Sequence, residues 1–311
     1  MNAFAEVRYL PHARLGQVES RFDSERGIYW AYMNPRPRAC FNRELLSDLS
    51  AWVDTIENAG GTMADENGRV APVHYAVIAS KLPGVFNLGG DLALFRTAIE
   101  RRERSTLAHY GRACVDVLYR WWKNANTPLT TISLVQGEAL GGGFECALGS
   151  SVIVAEEDAR MGFPEVLFNL FPGMGAYSFL SRKVGRRTTE ELITSGAIYT
   201  ARQLYDMGVV DVITPTGTGE AAVESYVRKH QRAGNGRRGI ESIAKEMNPL
   251  SHEELVRIVE LWADAAPCSS MSPWCSVTTS PPSATRIPRR PCRRRATPAR
   301  RGHRYVVPCG A

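Results

Sequence analysis

No long apolar run occurs in the 311 residues, so a membrane-spanning helix, which needs about 20 consecutive apolar residues, is not expected. The opening residues Met1 to Gly16 carry Arg8, His12 and Arg14 without an apolar stretch. No secretory leader is read there, and the default address is the cytosol, a cytoplasmic protein. Cysteine is scattered: before Pro267 only Cys40, Cys114 and Cys146 occur, with no Cys-x-x-Cys pair, which suits reduced, buried thiols. Before Pro267 the histidines His12, His74, His109, His230 and His252 are isolated, so no metal centre is expected. A Gly-x-Ser-x-Gly elbow and a Gly-x-x-x-x-Gly-Lys-Ser/Thr loop are also missing, which leaves serine hydrolase and nucleotide hydrolase chemistry without a motif.

The formal charge of +6 suggests nucleic acid until it is divided by region. Pro267 to Ala311 holds nine arginines and no acidic residue; the preceding 266 residues carry 29 basic against 32 acidic side chains. The body is therefore not basic, and no nucleic-acid partner is expected. The tail also has eight of the 18 prolines and four of the seven cysteines. Two readings stand for it: a disordered arm that binds phosphates or acidic lipid through Arg286, Arg289, Arg290 and Arg293 to Arg295, or a shifted reading frame in a GC-rich gene. The second is suggested by the preceding segment, where Leu255, Ile258, Val259 and Trp262 mark an amphipathic helix that stops abruptly at Ala266-Pro267.

Apolar and aromatic residues predict strands at Ile28 to Met33, Val73 to Ser80, Thr131 to Val135, Ser151 to Ala155 and Val209 to Thr214. Helical spacing predicts helices over Asn42 to Glu57, Leu92 to Glu103, Leu107 to Asn124, Arg187 to Thr194 and Ala201 to Met207, with helices only beyond Glu220. This alternation implies an α/β domain with mainly parallel pairing.

Two glycine turns carry the chemistry. Gly141, Gly142 and Gly143 join a strand to a helix whose first amides have no internal partner, an anion site in waiting. Phe86-Asn-Leu-Gly-Gly-Asp91 lies in a like position, and Asp91 can cap the helix that follows. Two such turns can aim two backbone donors at one oxygen. Glu145 falls in the first helical turn after the glycines, and Glu165 follows Pro164 at the start of an apolar stretch read as helical. Two carboxylates near one donor pair suit acid/base work, although an acidic residue at a helix start is often only a dipole partner worth about 0.3–1 kcal/mol. Glu138, Glu156 and Glu157 flank strand ends and have the weaker case.

Together Phe86 to Leu92, Gly137 to Glu145 and Phe163 to Gly175 resemble the crotonase, or enoyl-CoA hydratase/isomerase, superfamily over Gly27 to Pro215. More narrowly, Phe-Asn-Leu-Gly-Gly-Asp-Leu, Ala-Leu-Gly-Gly-Gly-Phe-Glu and Phe-Pro-Glu-Val-Leu-Phe-Asn-Leu-Phe-Pro-Gly-Met-Gly-Ala-Tyr-Ser resemble the bacterial diffusible-signal-factor synthases, as far as Trp262. The resemblance implies a spiral of ββα repeats over residues 1–215, a C-terminal helical region over 216–266, and a trimer-based homo-oligomer, with 267–311 as the aberrant tail. It makes the amides of Gly90 and Gly142 an oxyanion hole and Glu145 and Glu165 the two catalytic carboxyls. The substrate-binding residues it implies are Leu88, Gly89, Leu140 and Gly141 in the turns, and Leu167, Phe171, Met174 and Trp262 in apolar segments.

No cofactor is implied; the substrate is an acyl thioester of coenzyme A or acyl carrier protein. Arg101, Arg102 and Arg104 offer a basic patch to an acidic carrier, or are simply a solvated helix end. The synthase resemblance implies dehydration of a 3-hydroxyacyl thioester followed by thioester hydrolysis, releasing a cis-2-unsaturated fatty acid signal. A general hydratase of fatty acid oxidation and an inactive crotonase-fold binding protein are the alternatives.

Overall fold

The computed structural model describes residues 15–266; the arginine-rich tail and its two readings lie outside the described residues. In chain order the elements are β1 (Val18–Asp23), β2 (Ile28–Met33), α1 (Arg43–Asn58), β3 (Thr62–Ala64), β4 (Val70–Pro72), β5 (Tyr75–Ser80), β6 (Val85–Asn87), α2 (Leu92–Glu100) and α3 (Arg104–Trp122). They continue with β7 (Thr130–Val135), β8 (Glu138–Leu140), α4 (Gly142–Leu148), β9 (Val152–Glu156), β10 (Arg160–Gly162), a 3-10 turn (Pro164–Phe168) and α5 (Ala176–Thr194). Then come β11 (Ile198–Thr200), α6 (Ala201–Asp206), β12 (Val212–Thr214), α7 (Gly219–His230), α8 (Gly234–Met247) and α9 (His252–Ala265).

The larger sheet has the order β1-β2-β5-β7-β9-β12, parallel throughout except for the β1–β2 hairpin at its edge. Every residue of β2, β5, β7 and β9 is buried, as expected when helices cover both faces of a parallel sheet. Alternation then sorts the side chains. Tyr29, Ala31, Ala76, Ile78 and Ile153 join the main core with α1 and α3, whereas Trp30, Val77, Ile132 and Val154 meet Val223 and Val227 of α7 on the opposite face.

A second sheet, β11-β10-β8-β6, is made of strands three residues long. Long strand, short strand and helix recur in β5-β6-α2, β7-β8-α4 and β9-β10-α5, the latter through the 3-10 turn. This is the spiral of ββα turns that the resemblance implied. Parallel pairing of β6 with β8 and of β8 with β10 brings the ends of the three turns side by side.

The expected boundary near residue 215 falls between β12 and α7. Helix α9 returns to the core: Leu255, Val259 and Trp262 are buried, and Gly111 of α3 lets Val259 approach so closely that a Cβ there would lie 2.6 Å from Val259 Cγ1. Arg104 is held by Glu260 at 2.9 Å and Asp264 at 2.6 Å of α9, so it is taken up in this docking and does not stand free for a carrier. Among the described residues no helix is long and apolar enough to cross a membrane.

Candidate active site

Two glycine turns meet at the ends of β6 and β8. Gly89 adopts φ +94, and a Cβ on it would lie 2.7 Å from the Leu140 carbonyl oxygen and 2.9 Å from the Gly142 nitrogen. A Cβ on Gly142 would in turn stand 3.5 Å from the Gly90 nitrogen. This approach needs glycine at position 89. The amides flanking Gly90 are occupied, Gly89 N–H donating to Asn87 Oδ1 at 2.8 Å and Asp91 N–H to the Tyr110 hydroxyl at 3.2 Å. The Gly90 N–H has no acceptor among the described residues, and the Gly142 N–H, at the first position of α4, has no intrahelical one. Two unpaired donors thus stand in adjoining turns.

The carboxyls come from the next two elements. Glu145 is 1% exposed, and its Oε1 accepts the N–H groups of Met174 at 2.8 Å and Ala176 at 3.0 Å. Burial pushes its carboxyl up to about 7 against the pull of those two amides. Glu165 as a residue is half-buried, but its Oε2 is shielded from solvent and has no hydrogen-bond partner among the described residues. Burial, and after it the charge of Glu145, pushes Glu165 up to about 8. Gly141, at φ +51, lies against the Glu165 Oε1, where any Cβ would collide.

Both carboxyls, Gly90 and Gly142 line one cavity of about 680 Å³ whose walls are otherwise largely apolar. Of the residues expected at the substrate, Leu88, Leu140, Gly141, Phe171, Met174 and Trp262 line it. Gly89 does not; it lies behind the wall, where it lets the two turns touch. Leu167 is a correction: it is 59% exposed and outside the cavity, because the stretch after Glu165 is a 3-10 turn ending at Asn169 with φ 59, not a continuing α-helix. Phe168 and Leu170 line the cavity instead. Of the weaker carboxyls, Glu138 reaches the wall, and Glu156 accepts the Gly219 N–H at 3.0 Å at the start of α7. Among the described residues no three His, Cys, Asp or Glu side chains group as metal ligands.

Tyr110 was not singled out from the sequence, since α3 reads simply as an amphipathic helix. Its hydroxyl donates to the Phe41 carbonyl at 2.6 Å while accepting the Asp91 N–H, and its ring packs edge-on against Phe95 at 5.0 Å. Phe95 lies beneath Gly90, where a Cβ would come within 2.5 Å of the ring. Tyr110, which also lines the cavity, therefore holds the segment that carries the Gly90 donor. Tyr110→Phe is expected to lower kcat about 10-fold with little change in KM, and to cost about 1–2 kcal/mol of stability for two groups left unpaired. Steady-state kinetics together with urea unfolding check both parts; an unchanged kcat removes the positioning role.

With this geometry in hand, similarity to known proteins is informative. The family model described as enoyl-CoA hydratase/isomerase matches residues 34–261. A probable mitochondrial enoyl-CoA hydratase 2 of Arabidopsis thaliana is 31% identical over 192 residues, covering 61% of this chain and 58% of that relative, so the match spans little more than half the relative's length. Among solved structures, an enoyl-CoA hydratase/isomerase from Xanthobacter autotrophicus Py2 aligns with TM-score 0.65 at 20% identity, covering 85% of this chain and 92% of that one. Pseudomonas aeruginosa DspI aligns with TM-score 0.58 at 21% identity, covering 79% and 95%. At such identities the two structures speak for the fold alone, whereas the family model covers most of the described chain, and the protein belongs to the enoyl-CoA hydratase/isomerase family.

Proposed function

We propose that the protein interconverts 3-hydroxyacyl and 2-enoyl thioesters and, in its full reaction, dehydrates a 3-hydroxyacyl thioester of acyl carrier protein or coenzyme A and hydrolyses the product to a free cis-2-unsaturated fatty acid. The observation that carries the first part is a pair of buried carboxyls with raised pKa values lining the same apolar cavity as two unpaired amides. The second part rests on the motif resemblance to the signal synthases.

A thioester α-proton is too weakly acidic for an unaided carboxylate, so the enolate oxygen must be stabilised as the proton leaves. The Gly90 and Gly142 amides are the donors for it; one such donor is typically worth about 2.7–4 kcal/mol. Near neutral pH the two carboxyls hold about one proton between them, and the two amides on Glu145 place the charge there, leaving the proton on Glu165. That state adds water: Glu145 takes a proton from water as it attacks the β-carbon, and Glu165 delivers one to the α-carbon. Dehydration runs from the other tautomer, with charged Glu165 removing the α-proton and Glu145 protonating the departing β-hydroxyl. In hydrolysis the same two amides hold the oxyanion of the tetrahedral intermediate formed by water, and the carrier thiol leaves with a proton.

The rate should have a narrow pH optimum. Below about 7 both carboxyls are protonated and no base remains, and above about 8 both are charged and no acid remains. The kcat/KM profile is expected to be bell-shaped, with its maximum between these values; a flat profile from pH 6 to 9 contradicts the shared-proton mechanism. The function itself is tested by mass spectrometry of acids released from 3-hydroxyacyl carriers. Free cis-2-unsaturated acid supports the full reaction. Reversible hydration of short trans-2-enoyl-CoA without release reduces it to a general hydratase, and absence of any turnover leaves a binding protein.

A further inference from the structure

The two amides on Glu145 come from a segment with little regular structure of its own. Phe171 to Gly175 belong to neither strand nor helix, and Gly173 and Gly175 leave the backbone wide conformational freedom. The direction of the Met174 and Ala176 N–H groups is therefore set by what packs on the segment, and α9 packs on it. We propose, resting on the acid/base reading of Glu145, that α9 clamps this segment at both ends, with Trp262 at Gly173 and Glu254 at Ser178 as positioning residues that keep the two donors on the carboxylate.

At the first end a Cβ on Gly173 would lie 2.6 Å from Trp262 Cβ, so the backbone rests directly on the base of that side chain. The buried indole meets Phe95 edge-on at 5.0 Å, and through Phe95 it also backs the Gly90 turn. At the second end Ser178, buried in the first turn of α5, donates its hydroxyl to Glu254 Oε1 at 2.6 Å. Arg182, one turn on, holds the two Glu254 oxygens at 3.0 and 2.9 Å and the Ser178 carbonyl at 3.0 Å. Glu254 and Trp262 stand about two turns apart on α9, which is itself fixed to α3 by Glu260 on Arg112 at 2.6 Å and by His252 on Asp116 at 2.7 Å. Met174 and Ala176 lie between the two grips, so loosening either grip lets their N–H groups retreat. The other titratable groups that share the cavity wall with Glu145 are Glu165 from the 3-10 turn, Glu138 from β8, Tyr110 and Cys114 from α3, and Cys146 from α4. Burial pushes the Tyr110 hydroxyl and both thiols upward, so these three stay protonated near neutral pH.

The test is the titration of the Glu145 carboxyl, followed by carbon-13 NMR in the Glu165→Gln background so that Glu145 titrates without its coupled partner, together with the kcat/KM pH profile of the same substitutions in otherwise unaltered protein. Donors that retreat stabilise the charged form less. Ser178→Ala and Glu254→Ala, both outside the cavity wall, should each raise the midpoint by about half a pH unit, a gain of about 3-fold in proton affinity, and Trp262→Ala by about one unit. The acid limb of the rate profile should move up with it. Deleting the Glu254 charge acts the other way on its own, since a lost negative neighbour eases ionisation, so a rise in Glu254→Ala reads the amides and not the field. Glu254→Gln keeps an acceptor for the Ser178 hydroxyl and should not raise the midpoint. A midpoint that stays or falls in both Ser178→Ala and Glu254→Ala overturns the clamp, even where stability drops, and these two variants decide if Trp262→Ala fails to fold. A raised midpoint while the unaltered protein turns over no thioester leaves the clamp standing and removes the catalytic reading; turnover with the Glu145 midpoint unmoved does the reverse.

Discussion

Glu165→Gln is expected to lower kcat/KM by about 10²–10⁴-fold, the usual contribution of a positioned proton-transfer group. The amide has nearly the shape of the carboxyl but neither accepts a proton from the α-carbon nor delivers one to it. Stability should move the other way. The folded-state pKa of Glu165 lies at about 8, above the ordinary 4.5, so its contribution is full at acid pH and is lost as pH rises through the folded value. Above pH 8 the wild type carries a buried carboxylate whose Oε2 no described residue satisfies. The variant should therefore be about 2 kcal/mol more stable at pH 9 and no more stable at pH 4. Urea unfolding at the two pH values with turnover assays measures both. An active Glu165→Gln protein, or one less stable at pH 9, sinks the assignment. Glu145→Gln should lose activity comparably while its carbonyl oxygen keeps the Met174 and Ala176 amides.

Gly142→Pro should cost about 10²–10³-fold in kcat, because it deletes the N–H of one proposed oxyanion donor. Proline is tolerated at the first position of a helix, which Gly142 occupies in α4. The added Cβ would approach Gly89 Cα to 3.3 Å, a tight contact that alanine makes equally. Gly142→Ala is thus the control: it crowds the turn but keeps the donor, and it should retain most of the activity that proline loses. The ratio of the two rates isolates the N–H. Equal loss in both variants would make crowding, not hydrogen bonding, the cause, and would leave the oxyanion hole without support.

Much of the architecture is legible in the sequence because parallel strands buried on both faces read as continuous apolar runs. Ile28 to Met33 was expected as a strand and is β2; the predicted Val73 to Ser80 and Thr131 to Val135 strands are β5 and β7 within two residues. The second sheet was illegible for the opposite reason. Strands of three residues, such as Val85–Asn87 and Glu138–Leu140, are too short for any period to show. The glycine turns stood out because glycine clusters between a strand and a helix have few other uses. Leu167 was expected at the substrate from the resemblance, but it sits within the 3-10 turn Pro164–Phe168 and is 59% exposed, a local geometry that no sequence period announces. Tyr110 could not be told apart from ordinary core, since a helix face at helical spacing looks alike whether it meets another helix or a cavity.

Each turn of the spiral supplies one part of the site. The β5-β6 turn gives Gly90, the β7-β8 turn gives Gly142 and Glu145, and the β9-β10 turn gives Glu165. The parts are joined through pairing between short strands that have little stability alone. Severing the chain between two turns should therefore yield no half-working fragment. In refolding, recovery of turnover should lag behind recovery of helical circular dichroism, because helices assemble locally while the reactive centre waits for the last coil to close.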